Sequence, residues 1–493
     1  MVAALAAWIE RRPAAAFAAF AALHAAVWTA LPTLLYKNLP LDLIEALTYG
    51  REWQLGYDKL PPLPWWVVEI VYRVFGNDIA YYALSAIVVL MAFALVFATA
   101  RPLVGAVGAL VGVLIIDGMH YFNYTAPKFN HDVIQLPFWA LAGFAFHAGL
   151  RRGRIVDWLL LGFALGMALW AKYFFVVLAA PLALFVLIDR DARRALATPG
   201  PWLAVAVALV VMAPHLVWLA RNDFLPFAYA SARASPSHGL LDHVIHPTVF
   251  AASQLAALIP ALAIAAPLRF PRPDVAAPKV DDFDRRIVTL LAFGPAATLI
   301  VLSAVTGRGT VAMWGYPLWL FLGLWIVMTI GAAIGGRRLG RVVAVWAVVF
   351  VGLAAAFAAD YTILPRIDHR YRAAFFPGDR LAAEIDQRFR AATGAPLEYV
   401  VASMWVGGNV AHYSVDRPRV LIDGSLARAP WIDLADLRAR GAAVVWVVGD
   451  RASVPPEYRA VAPDAQVGTP FTLPARNGIG EVEVGWAILP PGK

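Results

Sequence analysis

Long apolar runs, interrupted by short arginine-rich or polar connections, fill the first 360 residues. A helix needs about 17 to 25 such residues to cross a bilayer. Runs of this kind fall at residues 14–36, 79–99, 103–119, 132–150, 155–171, 173–189, 201–220, 248–268, 287–306, 314–333 and 342–360, which predicts about 11 transmembrane helices. Beyond Asp360 the apolar runs shorten. LEYVVAS, RPRVLID and AAVVWVVGD read as strands and DLADLRARG as a helix, so their alternation predicts a small α/β domain with a mainly parallel sheet. The expected organisation is a helical membrane domain over 1–360, with an outer loop at 37–78, followed by a soluble α/β domain over 361–493. Gly407 and Gly408 lack a full dinucleotide fingerprint, so they read as a strand-to-helix turn rather than a phosphate turn.

Composition strengthens the membrane assignment. Of 493 residues, 61% are hydrophobic and 15% charged, against roughly a quarter charged in soluble domains, and the mean hydropathy is +0.66. A net charge of +8 would suit a nucleic-acid partner, but the cations sit in clusters between apolar runs. Arg11 and Arg12, Arg101, Arg151 with Arg152 and Arg154, Arg190 with Arg193 and Arg194, Arg269 through Arg286, and Arg337 with Arg338 and Arg341 fall on alternate connections. The positive-inside rule puts that side in the cytoplasm and removes the need for nucleic acid. The N-terminus is then inside and everything after Asp360 outside, as expected of an integral protein of the plasma membrane, in a bacterium the inner one. The first apolar run is too long for a signal h-region and reads as an uncleaved helix. There is no cysteine, which excludes disulfides and thiolate metal sites. The Pro/Asp-rich stretch from Arg269 to Arg286 reads as a flexible inner loop.

Candidate chemistry gathers in the outer connections, above all in DLIEALTYGREWQLGYDKLPPLPWW from Asp42 to Trp66. Asp42 and Glu45 admit two readings. Their spacing matches a capping box that starts a helix; alternatively Asp42 is a general base for an acceptor hydroxyl. Lys59 precedes a Pro-Pro pair and an apolar stretch with Glu69 and Arg73, too short and too charged to span, which predicts a helix lying in the outer interface. Lys59 either holds a lipid phosphate or snorkels to headgroups. Lys172, flanked by apolar runs, is costly in a bilayer and is expected to face a polar cavity; His24 and His215 carry the same argument more weakly. Arg221, Arg233 and Arg308 on outer loops would meet a phosphate or ordinary headgroups.

Asp42 followed ten residues later by Glu52, then Gly56, Tyr57, Lys59 and Pro61-Pro62, resembles the first outer loop of glycosyltransferase family 39 of the GT-C superfamily, which includes protein O-mannosyltransferases and lipid A aminoarabinose transferases. The resemblance continues in Asn130-His131-Asp132, in GMALWAKYFF around Lys172, in the WLARNDF run from Trp218 and in MWGYP around Trp314, over roughly the first 360 residues. The family often has Asp-Glu where this chain has Asp42-Leu43, so Glu45 one turn later is a candidate replacement. The resemblance implies transfer of a sugar from a polyprenyl-phosphate donor to a lipid or glycan hydroxyl on the outer face, with inversion. It makes Asp42 the base, Asp132 a second carboxylate, and Lys59, Lys172, Arg308 and Arg221 the donor-phosphate ligands. Tyr57, Asn130, His131 and Trp314 become substrate contacts. No cofactor is firmly implied; a divalent metal on His131 with Asp42, His120 or His243 is an alternative to a histidine that bonds locally. A transporter or flippase of an amphipathic envelope substrate is the competing function, and internal repeats, its usual signature, are missing. A non-catalytic partner in envelope assembly, binding through the α/β domain, is a third.

Overall fold

The computed structural model describes residues 2–269, 280–331, 334–370, 372–448 and 453–492. These residues form two compact units: Met1–Ala30, Lys59–Leu63 and Tyr82–Phe357 in the first, and Leu31–Asp58, Pro64–Tyr81 and Ala358–Lys493 in the second.

In chain order, α1 (Val2–Arg11) precedes α2 (Pro13–Leu35), α3 (Leu41–Gly50) and α4 (Leu63–Phe75). Next come α5 (Ile79–Asp117), α6 (His131–Arg152), α7 (Ile155–Ala171), α8 (Val176–Ile188), α9 (Pro199–Arg221) and α10 (Pro226–Arg233). Then follow α11 (Asp242–Arg269), α12 (Asp282–Thr306), α13 (Leu322–Ile330) and α14 (Gly336–Thr362). Among the described residues, 7 helices (α2, α5, α6, α9, α11, α12 and α14) are long and apolar enough to cross a membrane. The chain is an integral membrane protein. Two of the expected spans, 79–99 and 103–119, are joined in α5, which kinks near Pro102 where Gly105 adopts φ 73°, a conformation glycine reaches without strain. The expected span 314–333 differs more. Pro317 follows a 3₁₀ turn at Ala312–Gly315, and regular α-helix resumes only as the 9 residues of α13; proline removes a backbone donor just where the helix would start. Of the expected inner loop, residues 270–279 lie outside the described residues, and from Asp281 the chain is already capping α12.

The second unit holds the loop helices α3 and α4 and, after α15 (Leu364–Asp368), α16 (Gly378–Thr393), α17 (Met404–Tyr413), α18 (Leu434–Arg440) and α19 (Pro456–Val461) around one sheet. Its strands are β1 (Tyr399–Ala402), β2 (Arg419–Ile422), β3 (Ala442–Val447), β4 (Gln466–Val467), β5 (Phe471–Pro474) and β6 (Glu481–Leu489), in the order β2-β1-β3-β6-β4 with β5 also on β6. The expectation of a mainly parallel sheet needs correction. β2, β1 and β3 pair in parallel through the α17 and α18 crossovers, but β6 runs antiparallel to β3, β4 and β5. The β5–β6 hairpin turns at Asn477-Gly478, with Gly478 at φ 72°, and β6 alternates exposed Glu481 and Glu483 with buried Val482 and Val484. On α16, Leu381, Ile385 and Phe389 recur every fourth residue and enter the core beside Val400, Val410 and Ile488; each such side chain contributes about 1.5–3 kcal/mol on burial. Gly407 and Gly408 lie inside α17 instead of in a phosphate turn. A Cβ on Gly407 would press on Val420, and one on Gly408 would come within 2.6 Å of Ile44 on α3.

Candidate active site

In the first unit, Asn130 sits at the N-cap of α6 in extended conformation, and its side-chain oxygen accepts from the amides of Asp132 (2.9 Å) and Val133 (3.2 Å). This Asx cap satisfies two donors that a helix start leaves open and fixes His131 and Asp132 on the first turn. Asn130 thus holds the site in place with the oxygen that a substrate would otherwise meet. The α7 helix stops at Lys172, which takes φ −165° and ψ 140° before a 3₁₀ turn at Tyr173–Phe175. That break lets the ammonium leave the helix axis. Lys172 Nζ donates to Asp132 Oδ1 at 2.6 Å, and Gln135 Nε2 donates to the same oxygen at 3.0 Å. Lys172 and Asp132 are 9% and 8% exposed, so the ion pair is held where an unpaired charge would be expensive.

His131 Nε2 lies 3.0 Å from the Pro61 carbonyl oxygen, and both Lys59 and Lys172 are near enough to act on the imidazole electrostatically. The imidazole thus lies in the field of two ammonium groups, one of which, Lys172, is bonded to the neighbouring Asp132. Aromatic rings flank them: Lys59 Nζ is 5.7 Å from the Tyr229 ring centroid, and Lys172 Nζ is 5.5 Å from that of Phe174. Phe174 stacks on Trp139 (5.8 Å, 18°) and meets Trp314 at 5.9 Å. Trp314 therefore borders the lysine end of the cluster. Two of the expected phosphate ligands have other surroundings. Arg308 donates to Ser231 O (2.7 Å) and Oγ (3.0 Å) and to Ala234 O (3.3 Å), closing the C-terminal end of α10, while Arg221 is exposed at the end of α9. Among the described residues no three His, Asp or Glu side chains converge in a way that would hold a metal ion.

In the second unit, α3 starts one residue before Asp42. Pro40 occupies the cap position with no side-chain cap bond, so the capping-box reading of Asp42 and Glu45 is corrected: Asp42 stands in the first turn. Asp42 and Glu45 are half-buried on the one edge of α3 that is not covered, while Leu43, Ile44 and the run from Ala46 to Gly50 are buried. Proline at the cap has no hydroxyl or carboxylate to offer, and its fixed φ simply launches the helix. Behind them Tyr49, Tyr57 and Trp65 form an aromatic box, with Tyr49 stacked on Trp65 (4.5 Å, 14°) and Tyr57 edge-on to both. Tyr57 is 1% exposed. Its hydroxyl donates to Tyr49 O (2.7 Å) and accepts from the Gln54 amide (3.1 Å), so it shapes the loop. Tyr49 Oη donates to Asp58 (2.9 Å); burial, reinforced by Asp58 and Glu45, pushes this phenol well above its ordinary pKa and keeps it a donor.

Three arginines of the C-terminal segment close the loop, and sequence reasoning did not find them. Arg419 forks onto Glu52 at 3.2 and 2.6 Å, Arg428 reaches Asp58 at 3.0 Å and also pairs with Asp423, and Arg417 pairs with Glu69 at 3.2 Å while lying 3.9 Å over the Tyr72 ring. Glu69, which reads in the sequence as a charge on an interfacial helix, is fully buried and also takes Arg73 at 2.9 Å. The remaining face of α4 exposes Ile70, Val74 and Phe75.

A model of the dolichyl-phosphate-mannose-protein mannosyltransferase family matches residues 59–218, the stretch that carries Lys59, Asp132 and Lys172. Among curated proteins, lipopolysaccharide core galacturonosyltransferase RgtB of Rhizobium johnstonii is 27% identical over 332 residues, covering 64% of this chain and 66% of the relative. Its companion RgtA is 29% identical over 205 residues, 41% of this chain and 40% of the relative. The match thus spans from two fifths to just under two thirds of these relatives. Among solved structures, ArnT from Cupriavidus metallidurans bound to undecaprenyl phosphate shares the fold at a TM-score of 0.64 and 14% identity, over 97% of this chain and 99% of that one. The apo ArnT structure matches at 0.61 and 15%, over 98% and 100%. The family-model match, the relatives and the fold agree: over residues 59–218 the chain is similar to the dolichyl-phosphate-mannose-protein mannosyltransferase family, and over nearly its whole length it shares the fold of ArnT.

Proposed function

We propose that the chain is a glycosyltransferase that moves a sugar from a polyprenyl-phosphate-linked donor to a hydroxyl of an envelope lipid or glycan, on the outer side of the membrane. The observation that carries this is the buried Lys172–Asp132 pair at the start of α6 in the first unit, next to His131, on whose imidazole the Lys59 ammonium also acts. A departing lipid phosphate needs such cations to take up the charge that develops on its oxygen. Acceptor chemistry follows from the names of RgtA and RgtB, which act on lipopolysaccharide core, and donor chemistry from the undecaprenyl phosphate bound to ArnT.

In this mechanism the acceptor oxygen forms a bond to the anomeric carbon from the face opposite the phosphate, and the bond to the phosphate oxygen breaks, which inverts the centre. Asp42 takes the hydroxyl proton. Lys59 and Lys172 stabilise the leaving phosphate, and Asp132 holds Lys172 in place. Orientation follows the arginine clusters: N-terminus inside, and the α/β domain, taken as residues 361–493, outside. The test is transfer by purified protein from a polyprenyl-phosphate sugar to lipopolysaccharide, read by mass spectrometry. Asp42→Asn is expected to abolish transfer while the thermal unfolding profile stays that of the parent. Full turnover by that variant would remove Asp42 as the base.

A further inference from the structure

At the opposite ends of α6 and α7 from Asp132 and Lys172, two cavities of the first unit share one wall residue. A polar cup of about 490 Å³ is bounded by Arg151, Arg194, Asp191, Asp281, Thr198 and Trp158. An apolar groove of about 490 Å³ continues from Trp158 between α7, α8 and α9, past Leu161, Leu165, Ala183, Leu187, Val205 and Leu209. Both volumes fall in the range of about 300–1,000 Å³ found for small-molecule sites. Trp158 is only 2% exposed and is wedged between two glycines: a Cβ on Gly149 would touch its ring at 3.0 Å and one on Gly200 at 2.3 Å. The ring thereby forms a fixed partition where the charged cup becomes apolar groove.

The cup has two cations and two anions. Arg194 is 82% exposed on its side chain, Arg151 41%, Asp191 41% and Asp281 55%; Asp191 also takes Arg286 at 2.7 Å, Arg151 also meets Asp284 at 3.2 Å and Asp281 Oδ1 caps α12, so the Arg194 guanidinium and the Asp281 carboxylate are the most open groups of the cup. Arginine forks match a phosphodiester, and carboxylates beside them match a primary ammonium. The groove has the length of several helical turns and opens sideways, where Leu187, Val205 and Leu209 are exposed.

We propose that the cup and groove together bind one phospholipid of the leaflet that faces the arginine clusters, a glycerophospholipid with a phosphoethanolamine headgroup in the cup and an acyl chain along the groove. Charge complementarity selects the zwitterion over an anionic lipid, because Asp191 and Asp281 would repel a second negative group. It also selects a primary ammonium over a quaternary one, which has no N–H to donate.

The test places the full chain in phosphatidylcholine nanodiscs containing a trace of phosphatidylethanolamine, phosphatidylcholine or phosphatidylglycerol, each with the same photoreactive acyl chain. Peptides labelled from α7 to α9 are then counted by mass spectrometry. The ethanolamine probe is expected to label these peptides at least threefold more than either other probe. Asp281→Asn, at an exposed position where the amide can still cap α12, is expected to abolish that preference, while Arg194→Gln, which loses a phosphate contact, and Ala183→Trp, which fills the exposed groove, are expected to lower labelling by all three. Equal labelling by the three probes, unchanged in Asp281→Asn and Arg194→Gln, means ordinary boundary lipid and overturns the proposal. Stronger labelling by phosphatidylglycerol overturns it as well.

Discussion

Replacing Lys172 with methionine removes the partner of a carboxylate that is almost out of reach of solvent. At 2.6 Å and an effective dielectric near 20, the gross attraction is about 6 kcal/mol, most of it offset by the cost of desolvating both groups. The net worth of the pair is therefore small, but a lone charge left behind costs about 3–5 kcal/mol. Gln135 still donates to Asp132 at 3.0 Å, which places Lys172→Met near the lower end, about 3 kcal/mol. Asp132→Asn should cost a similar amount by stranding the ammonium. The double variant, an amide facing a thioether, should fall within about 1 kcal/mol of the parent, so the coupling between the two sites is large. Transfer behaves differently: both Lys172→Met and the double variant lose a charge that stabilises the leaving phosphate, about 100- to 1,000-fold in kcat. The assay is equilibrium unfolding in mixed micelles followed by tryptophan fluorescence, with turnover measured on the same samples. If the two single costs simply add in the double variant, the pair is not a desolvated unit and the reasoning fails. A double variant that recovers both stability and turnover would remove Lys172 from the chemistry.

Gly408→Val should destabilise the second unit by about 1–3 kcal/mol through overpacking, because its Cβ would meet Thr48 and Ile44 within 2.6 Å; a thermal shift below the parent value checks this. Arg417→Met should leave fully buried Glu69 with Arg73 alone and cost about 3 kcal/mol, visible as faster proteolysis between Gly50 and Lys59. Asp386 is shifted upward chiefly by burial, with Asp416 adding to the effect. A carboxyl whose pKa is raised on folding favours the fold below its unfolded pKa near 4, and that contribution is lost as pH rises through the folded value. Asp386→Asn, which can still accept the Ser414 hydroxyl bond, should therefore gain stability relative to the parent as pH rises from 4 toward 7. An unchanged difference in melting temperature across that range would contradict the burial argument.

Apolar run length located α2, α6, α7, α8 and α9 to within three residues, and α11, α12 and α14 except for a polar first turn or more, because membrane helices announce themselves by composition alone. The same signal cannot see a break that leaves composition apolar: Gly105 inside α5 and Pro317 ahead of α13 each changed a predicted span. Lys172 was legible as a charge too costly to be idle. Its partner was not, since the Asp132 contact bridges 40 residues and depends on the extended backbone at Lys172. Asp42 was visible as a carboxylate at a helix start and was misplaced in that helix by the proline ahead of it. The arginines that hold the loop were hidden for a simpler reason, as Arg417, Arg419 and Arg428 look like surface charges of a soluble domain until their distant partners are known.

The Glu52–Arg419 pair joins residues 367 positions apart, and that separation sets a clock on biogenesis. At about 5–20 residues per second, the loop bearing Asp42 waits roughly 20 to 70 seconds after its own synthesis for the arginines that fix it. During that interval Glu52, Asp58 and Glu69 are carboxylates without those counter-ions. A ribosome that stops before residue 417 releases a chain with its apolar helices made and its loop unclamped, and quality-control proteases would have an accessible segment by which to recognise it.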